Sequence, residues 1–436
     1  MIRGKIVLTG QLKNISPLHI GNASNDRSDM DVLLDKHNKP FIPASSLCGI
    51  LRHKISLNID DENYFWGFKA DKNDNKIDGK QSIIKCMDLE CEKFKLKIRD
   101  GIKINNQKGL IDNKFDYEIV EPGAIFNLKM EFSFADDDEQ SVKRMASTVY
   151  TILDKSIQIG AKTNSGFGKV KLIKDNINIY LFDFKNKEDV YNWLTQNLSV
   201  KNLVSHETLG IPIEISAPDL FTIEANLQLK NSIIVRSYSD MPDMPDSIHI
   251  QSNNKNILPG TSIKGAIRAR AERIAKSLGT ESIIDKLFGY VDTVNSKASK
   301  ARIKIKEVIL PDFVSELQTR IQIDRFTGGT IKSALFDSMP LFVDMQKKVI
   351  KISISIPNCS KAEAGLLLLV LKDLWTGDLA VGGEKNIGRG VFKGIEALVK
   401  FGNDLFILDQ DLSRISIDQK KKLQTFVDEF VLKKED

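Results

Sequence analysis

Four short sequence blocks occur twice in this chain, in the same order in each half. The pairs are PASSLCGILR at 43–52 with PGTSIKGAIR at 259–268, QLKN at 11–14 with QLKN at 228–231, IKIN at 102–105 with IQID at 321–324, and IGAKTNSGFG at 159–168 with VGGEKNIGRG at 381–390. The separation between partners drifts by only a few residues along the repeat. One match could arise by chance, but four in register predict two copies of one domain, residues 1–205 and 215–436.

Length and composition agree with two ordinary globular domains. The chain has 436 residues, of which 42% are hydrophobic and 28% charged. The 63 basic and 58 acidic residues leave a net charge of +5, which permits a nucleic-acid partner without requiring one. Four cysteines make no dense disulfide framework, so we expect a reducing, cytoplasmic location. No signal peptide is evident, and the longest apolar run, AGLLLLVL at 364–371, predicts a buried helix rather than a membrane span.

Both copies have the same predicted order of elements. Each begins with an alternating strand, KIVLTGQLKN or FTIEANLQLKN, and a helix follows PASS or PGTS. A long polar insertion comes next, then a second helix at about 138–156 and 361–375, and finally a glycine-rich turn with a strand. This order predicts an α+β chain of two tandem ferredoxin-like domains, a topology shared with RRM-type RNA-binding modules.

Two features of each copy suit a polyanion. A glycine-rich turn leaves backbone N–H groups open beside basic residues, and a helix N-terminus presents further N–H groups and the positive end of its dipole. A plain turn or a solvated helix face explains either feature alone, but their recurrence in both copies favours phosphate binding. The candidate residues are Ser45, Ser46, Arg52, Lys162, Gly166, Gly168 and Lys169 in the first copy, and Thr261, Ser262, Lys264, Arg268, Lys385, Gly388, Arg389 and Gly390 in the second.

An acidic loop lies between the first strand and the first helix of each copy. The sequences are NASNDRSDMD at 22–31 and SYSDMPDMPD at 237–246. Carboxylates repel phosphates unless they bind a divalent metal or accept a proton. These loops therefore suggest a catalytic or metal-binding role beside phosphates, and the alternative is a flexible acidic loop. The repeat places Asp29 opposite Asp246, and Asp31 is the runner-up in the first loop.

The repeated segments resemble the RAMP superfamily of CRISPR-associated proteins. The helix-start blocks and the turns TNSGFGKV and KNIGRGVF are most similar to those of backbone subunits of type III effector complexes. RIQIDRFTGGTIKSALFD at 320–337 resembles the protruding β-hairpin thumb of those subunits, and 102–120 is a fainter version. Such subunits are usually single domains, so this chain resembles a tandem fusion of two, as in some type III-D effectors. The implied thumb residues are Ile102, Lys103, Ile323, Arg325 and Phe326.

The resemblance implies a ribonucleoprotein role in antiviral defence. It predicts that the chain binds guide crRNA alongside other effector subunits, and that it is an endoribonuclease that cuts complementary target RNA once per domain with Mg²⁺ or Mn²⁺. The loop carboxylates, Asp29 and Asp246, would bind the metal or take a proton from the ribose 2′-OH. The alternative is a non-catalytic structural or 3′-capping subunit. Because no histidine recurs between the copies, a guide-processing ribonuclease is less favoured.

The first and second copies differ at several of these positions. Cys48 stands where the second copy has Lys264, which predicts weaker guide contact in the first copy. Pro242 and Pro245 stiffen the second acidic loop. Cys86 and Cys91, in CMDLEC, are spaced like half of a zinc site, but no second pair is nearby, so zinc is not expected.

Overall fold

A computed structural model describes residues 2–22, 26–69, 79–106, 109–215, 218–238, 244–292, 295–344, 348–411 and 413–432. The chain forms two compact units. The first consists of Met1–Ile98, Asp116–Thr163 and Phe167–Ala217, and the second of Arg99–Phe115, Asn164–Gly166 and Pro218–Asp436. Two short segments from the first half of the sequence therefore belong to the second unit.

The helices in the described residues are α1 (Ala44–Ile55), α2 (Ile59–Trp66), α3 (Glu139–Lys155), α4 (Lys187–Leu194), α5 (Gly260–Leu278), α6 (Ser282–Phe288), α7 (Lys361–Thr376) and α8 (Ile417–Val431). The strands of the first half are β1 (Gly4–Asn14), β2 (Phe41–Ile42), β3 (Ile84–Cys86), β4 (Leu89–Lys93), β5 (Leu96–Ile104), β6 (Ile111–Val120), β7 (Ile125–Phe134), β8 (Ile157–Gln158), β9 (Lys169–Leu172), β10 (Asn178–Asp183) and β11 (Leu203–Val204). Those of the second half are β12 (Leu220–Leu229), β13 (Ser232–Ile233), β14 (Arg236–Ser237), β15 (Ser247–His249), β16 (Gln251–Ser252), β17 (Lys255–Leu258), β18 (Tyr290–Asp292), β19 (Lys297–Ser299), β20 (Lys304–Ile305), β21 (Val308–Ile309), β22 (Val314–Ser315), β23 (Gln318–Ile323), β24 (Thr330–Met339), β25 (Leu341–Phe342), β26 (Val349–Pro357), β27 (Phe392–Phe401) and β28 (Asp404–Asp409).

In the first unit, β1 is the central strand of an antiparallel sheet. It pairs with β7 on one edge and with β9 and β10 on the other, while β3 and β4 pair with β7. The fourth, first, third and second strands of the predicted plan thus lie side by side as β9, β1, β7 and β4, which is the ferredoxin-like arrangement. Helix α3 packs on this sheet and buries Val142, Met145 and Val149.

In the second unit, β12 has the same central place. It lies between β26 and β27, and β20 pairs with the far edge of β26, so the order β27–β12–β26–β20 repeats that of the first unit. Phe221, Ile223 and Ala225 of β12 are buried at alternate positions, because successive side chains of a strand point to opposite faces. Helix α7 contains the apolar run 364–371 and packs on α5, α8 and β27. The predicted α+β, tandem ferredoxin-like fold and the buried helix are confirmed.

The glycine-rich turns of the two repeats have the same local geometry. The N–H of Ile159 donates to Gly168 O at 2.8 Å, and the N–H of Val381 donates to Gly390 O at 2.9 Å. Both glycines have positive φ, 77° and 69°. A Cβ at Gly168 would lie 1.9 Å from Ile159 O, and one at Gly390 would lie 1.9 Å from Val381 O. Only glycine fits either position, both for its backbone conformation and for the space available.

The first helices of the two repeats also begin in the same way. Pro43 and Pro259 precede α1 and α5 with φ of −57° and −62°. Each proline carbonyl accepts a backbone N–H at 3.2 Å, from Leu47 in one repeat and from Ile263 in the other. The fixed φ of proline suits a helix start, where its missing N–H costs nothing.

Both predicted thumb hairpins are present. Strand β5 pairs with β6, and β23 pairs with β24. The distal part of the first hairpin, Arg99–Phe115, belongs to the second unit. There the fully buried guanidinium of Arg99 pairs with Glu307, with Nη1 and Oε2 2.6 Å apart.

Candidate nucleic-acid interface

In the first unit, the acidic loop is hydrogen-bonded to the second strand of the thumb. The backbone N–H of Asp29 donates to Asp116 Oδ1 at 2.7 Å, and the N–H of Asp116 donates to Asp29 Oδ2 at 3.0 Å. The Asp29 side chain is exposed and that of Asp116 is half-buried. Two carboxylates therefore lie together on the surface where the loop meets the thumb.

Asp31 has a different role from Asp29. It is 1% exposed, and its carboxylate accepts hydrogen bonds from Ser28 Oγ at 2.8 Å and from the N–H groups of Asp26 and Arg27 at 2.8 and 3.1 Å. Burial alone would raise the pKa of Asp31, but these hydrogen bonds outweigh burial and lower it. Asp31 therefore shapes the loop from the inside, and Asp29 is the carboxylate that a ligand can reach.

The second acidic loop meets its thumb through one hydrogen bond of the same kind. The backbone N–H of Asp337, on β24, donates to Asp246 Oδ2 at 2.9 Å. Asp246 is exposed and Asp337 is half-buried, and the Oδ1 atom of Asp337 is buried without a hydrogen-bond partner among the described residues. Residues 239–243, which include Pro242, lie outside the described residues. The aspartate pair of the first unit is thus repeated.

Sequence reasoning missed the thumb aspartates. Both follow a phenylalanine, in the dipeptide FD at 115–116 and 336–337, so the repeat contained a signal for them. Neither dipeptide lies in the blocks that established the repeat. The assignment of Asp29 and Asp246 as catalytic residues stays a prediction.

A buried histidine fixes the strand that follows Asp246. His249 accepts a hydrogen bond at Nδ1 from the N–H of Val235, at 3.2 Å, and its Nε2 donates to Ile257 O at 2.8 Å. This pattern requires the neutral ring with its proton on Nε2. Burial lowers the pKa of His249 to about 4. The ring has a structural role and is not placed as a general base.

The two helix N-termini differ in their availability to a phosphate. In the first unit, the N–H of Ala44 donates to Asp88 Oδ1 at 2.7 Å, so a carboxylate already occupies the start of α1. Ser45 is exposed and Ser46 half-buried in the same turn, while Arg52 pairs with Glu62 at 2.5 Å. The first-copy residues predicted to contact phosphate therefore have acidic neighbours at two points.

In the second unit, α5 begins at Gly260, which is followed by Thr261, which is exposed, and Ser262, which is half-buried. Lys264, one turn further on, has its pKa lowered to about 8 by burial and by the charge of Arg268. Arg268 also pairs with Glu272, with Nε and Oε1 2.7 Å apart. The lysine is therefore held beside another cation, where a bound anion would stabilise its charge.

Lys385 shows the same effect in the glycine-rich turn of the second unit. Burial and the charge of Arg273, on α5, lower its pKa. Gly388 follows it with φ of 83°, and a Cβ at this glycine would have no described atom within 4 Å, so this part of the turn is open. Lys264, Arg268, Arg273 and Lys385 are the basic residues that suit a phosphate in this unit.

Lys162 lies in the corresponding turn of the first unit. It has a positive φ of 55°, and its ammonium lies 4.1 Å from the centre of the Tyr117 ring. Burial lowers its pKa. Gly166 belongs to the second unit, where a Cβ would lie 2.6 Å from the backbone nitrogen of Glu307, so it packs against protein backbone. Lys169 is half-buried on β9.

Arg389 was predicted to contact phosphate, but its side chain is buried. It is 3% exposed, and its Nε lies 2.7 Å from Glu384 Oε2. Its other nitrogens donate to Ser232 Oγ at 2.9 Å and to Gln318 Oε1 at 2.5 Å. Its donors are committed inside the protein, where they join the glycine-rich turn to the first thumb strand of this repeat. Sequence reasoning could not see this, because the position is basic in either role.

Glu384 is the centre of this charge cluster. Its carboxylate pairs with Arg236 and Arg320, each at 3.0 Å, as well as with Arg389. Burial alone would raise the pKa of Glu384, but the hydrogen bonds from Arg389 and Arg236 lower it. Arg236 lies just before the second acidic loop and Arg320 in the thumb, so one carboxylate connects the turn, the loop and the thumb.

Comparison with known families agrees with this arrangement. The model of the RAMP superfamily matches residues 11–171 and 246–393, one region in each repeat. The chain belongs to the RAMP superfamily. It is accordingly a CRISPR-associated RNA-binding subunit with two RAMP regions. A comparison with curated proteins gave no match.

The thumbs of this RAMP protein present apolar and basic side chains to solvent. Phe326, at the tip of the second thumb, is fully exposed, and its N–H donates to Asp324 Oδ1 at 2.7 Å, which orders the turn. Ile323 and Arg325 are also exposed. In the first thumb, Ile102 and Lys103 are exposed. All five predicted thumb residues therefore lie where a nucleic acid could contact them.

Within the ranges that the structure describes, this RAMP protein has no cluster of three or more His, Cys, Asp or Glu side chains arranged to hold a metal ion. No helix among the described residues is both long and apolar enough to cross a bilayer.

Proposed function

We propose that this RAMP protein is a double backbone subunit of a type III CRISPR effector complex. It binds guide RNA along the guide backbone and cleaves complementary target RNA at two sites, one per repeat, with a divalent metal. One observation carries the proposal. In both repeats an exposed loop aspartate accepts the backbone N–H of an aspartate on the second thumb strand, at 3.0 Å for Asp29 and 2.9 Å for Asp246.

The guide-binding part is supported by the basic residues of the second unit. Burial, together with the charge of a nearby arginine, lowers the pKa of both Lys264 and Lys385. Placing cations together and partly removing them from water is unfavourable in the free protein, and a phosphate relieves that cost. Contacts of this type read the nucleic-acid backbone, so the guide would be bound without sequence preference.

The cleavage chemistry needs a group that accepts a proton. In the proposed reaction, the loop carboxylate takes the proton of a ribose 2′-OH, and the 2′ oxygen attacks the adjacent phosphorus. The bond from phosphorus to the 5′ oxygen breaks, and that oxygen takes a proton from solvent. The products are a 2′,3′-cyclic phosphate and a 5′-hydroxyl. Asp29 and Asp246 are exposed, so a strand can approach either of them.

The residues present fit a magnesium-type ion. Mg²⁺ is commonly held by one or two carboxylates together with substrate phosphates and water, so a pair suffices. Asp29 with Asp116, and Asp246 with Asp337, would hold the ion. The buried Oδ1 of Asp337 has no other hydrogen-bond partner in the described part of the chain. When bound, the ion would supply Lewis-acid stabilisation of the charge that develops on the phosphate.

The test is a cleavage ladder. The full chain is mixed with guide RNA and end-labelled complementary RNA, with Mg²⁺ or with a chelator. We expect two magnesium-dependent cuts. Asp29→Asn should remove one and Asp246→Asn the other, each with a rate loss of about a hundredfold or more. Affinity for the target should hardly change, since the lost interaction belongs to the transition state.

Asp60→Asn is the matched control, because Asp60 is an exposed carboxylate on α2, outside the acidic loop. It should leave both cuts unchanged. A double variant, Asp29→Asn with Asp246→Asn, that still gives the wild-type ladder would overturn the catalytic assignment. Complementary RNA that is bound but never cut by the wild-type chain would instead indicate a structural or 3′-capping subunit.

A further inference from the structure

Two cysteines that are far apart in the sequence meet in the first unit. Cys48 lies in α1 and Cys86 at the end of β3, two elements that pack on each other, and the thiols lie close enough for each to shift the pKa of the other. Both side chains are half-buried. Cys91, the neighbour of Cys86 in CMDLEC, is 2% exposed in the core instead, and burial raises its pKa to about 11. The partner of Cys86 is therefore Cys48 rather than Cys91.

A second contact holds the same two segments together. Asp88, two residues after Cys86, accepts the N–H of Ala44 at 2.7 Å. Ala44 begins α1, and Cys48 lies about one helical turn later, on the same side of the helix. The start of α1 and the segment 86–88 thus lie side by side, which places Cys48 and Cys86 on adjacent elements.

We propose that Cys48 and Cys86 are a redox modification site, which forms a reversible disulfide by exchange with a low-molecular-weight disulfide such as glutathione disulfide. The crosslink would tie the first turn of α1 to the end of β3. This site is independent of the proposed cleavage function and of any metal.

The exchange proceeds in two steps that balance. The thiolate of one cysteine attacks a sulfur of the small disulfide, forming a mixed disulfide and releasing one small thiolate. The second cysteine loses its proton, attacks the protein sulfur of the mixed disulfide, and releases the second small thiolate. The protein loses two electrons and two protons, and the small disulfide is reduced to two thiols. Excess dithiol reverses both steps.

The surroundings of the two sulfurs indicate which cysteine attacks the small disulfide first. Contact with Cys86 lowers the pKa of Cys48, whereas contact with Cys48 and burial raise the pKa of Cys86. Cys86 also donates its thiol hydrogen to Met87 O at 3.3 Å, which favours its protonated form. On this geometry Cys48 is the attacking thiolate, and Cys86 is the resolving cysteine.

The experiment treats the reduced full chain with glutathione disulfide, then digests it without reductant for mass spectrometry. We expect a linked peptide pair containing Cys48 and Cys86, the loss of two titratable thiols, and reversal by dithiothreitol. The oxidised chain should unfold about 5–10 °C higher, because the bond closes a loop of about 40 residues. Cys86→Ser should stop at a stable glutathione adduct on Cys48.

Cys359→Ser is the matched control, since Cys359 is a half-buried single thiol in the second unit, and this variant should still form the crosslink. Reduced wild-type protein should also bind one equivalent of phenylarsine oxide, which bridges two adjacent thiols, without any substitution. Stable glutathione adducts in wild type without a Cys48–Cys86 peptide, a crosslink to Cys91, or no binding of the arsenical would each overturn the proposal.

Discussion

Replacing Asp31 by asparagine tests whether this carboxylate shapes the first acidic loop, whereas Asp29 is the carboxylate that acts at the loop surface. Asp31 is 1% exposed and accepts hydrogen bonds from Ser28 Oγ and two backbone N–H groups, and Arg27 Nε lies 3.9 Å away. The asparagine oxygen can still accept from the two backbone N–H groups, and its amide can donate to Ser28 Oγ, so the change removes the negative charge that strengthens these hydrogen bonds. We expect a loss of about 1–3 kcal/mol. At roughly 2–4 °C per kcal/mol for a unit of this size, the first transition should fall by about 5 °C.

Asp29→Asn is the comparison. Asp29 is exposed, and the amide oxygen of asparagine can still accept the N–H of Asp116, so stability should stay within about 0.5 kcal/mol. Differential scanning calorimetry on both variants measures the change in stability, and the cleavage ladder measures the loss of a cut. Because the folded pKa of Asp31 is lowered, its contribution is present above the ordinary value of 3.8 and lost as pH falls below it. The difference between wild type and Asp31→Asn should therefore shrink in acid.

The opposite pattern would refute this reasoning. If Asp31→Asn melts within about 2 °C of wild type and abolishes one cut, while Asp29→Asn keeps both cuts, then Asp31 is the acting carboxylate. If Asp31→Asn unfolds the loop and loses the cut, the binding of guide RNA by the variant is measured. Loss of binding indicates a folding defect, and normal binding indicates a missing reactive group.

Three further predictions concern the second unit. Lys264→Gln should weaken guide-RNA binding and reduce the log–log slope of affinity against salt by about one or less, as measured by filter binding. Arg389→Gln should leave this salt slope unchanged but cost about 3 kcal/mol of stability, as measured by urea unfolding. Gly390→Ala should cost about 2–4 kcal/mol because its Cβ would meet a carbonyl oxygen, but Gly388→Ala only about 1 kcal/mol for its backbone conformation; equal losses in urea unfolding would contradict the steric argument. His249 must stay neutral, so stability should decline as pH falls from 6.5 toward 4, by about 3 kcal/mol in total, and His249→Gln should remove that part of the pH dependence in urea titrations.

The repeated blocks determined the architecture, because each encodes a local requirement that any folded copy must meet. Gly168 and Gly390 are needed at positive φ, where a backbone carbonyl oxygen lies only 1.9 Å from the position that a Cβ would take. Pro43 and Pro259 directly precede helices, at a position where the missing N–H of proline costs nothing. The alternation of β12 and the apolar run of α7 likewise depend only on neighbours in the chain. Such features are readable from sequence because the interactions behind them are local.

The loop aspartates were also readable, since the repeat register selected Asp29 and Asp246 and both are exposed. What the register could not distinguish was a carboxylate that points outward from one that points inward. Asp31 and Asp29 are equally acidic in sequence, and only the positions of Ser28 and the loop N–H groups decide between them.

Tertiary structure alone decided which basic and sulfur-containing side chains are available. Arg389 is basic in the sequence, but Glu384, Ser232 and Gln318, which come from separate elements, take up its donors. Cys86 is five residues from Cys91 in sequence, yet the packing of α1 on β3 gives it Cys48 as a partner. Arg99, in the part of the first thumb that belongs to the second unit, pairs with Glu307, 208 residues away in sequence. Each of these outcomes depends on residues brought together from distant parts of the chain, and a pattern along one sequence does not record such distances.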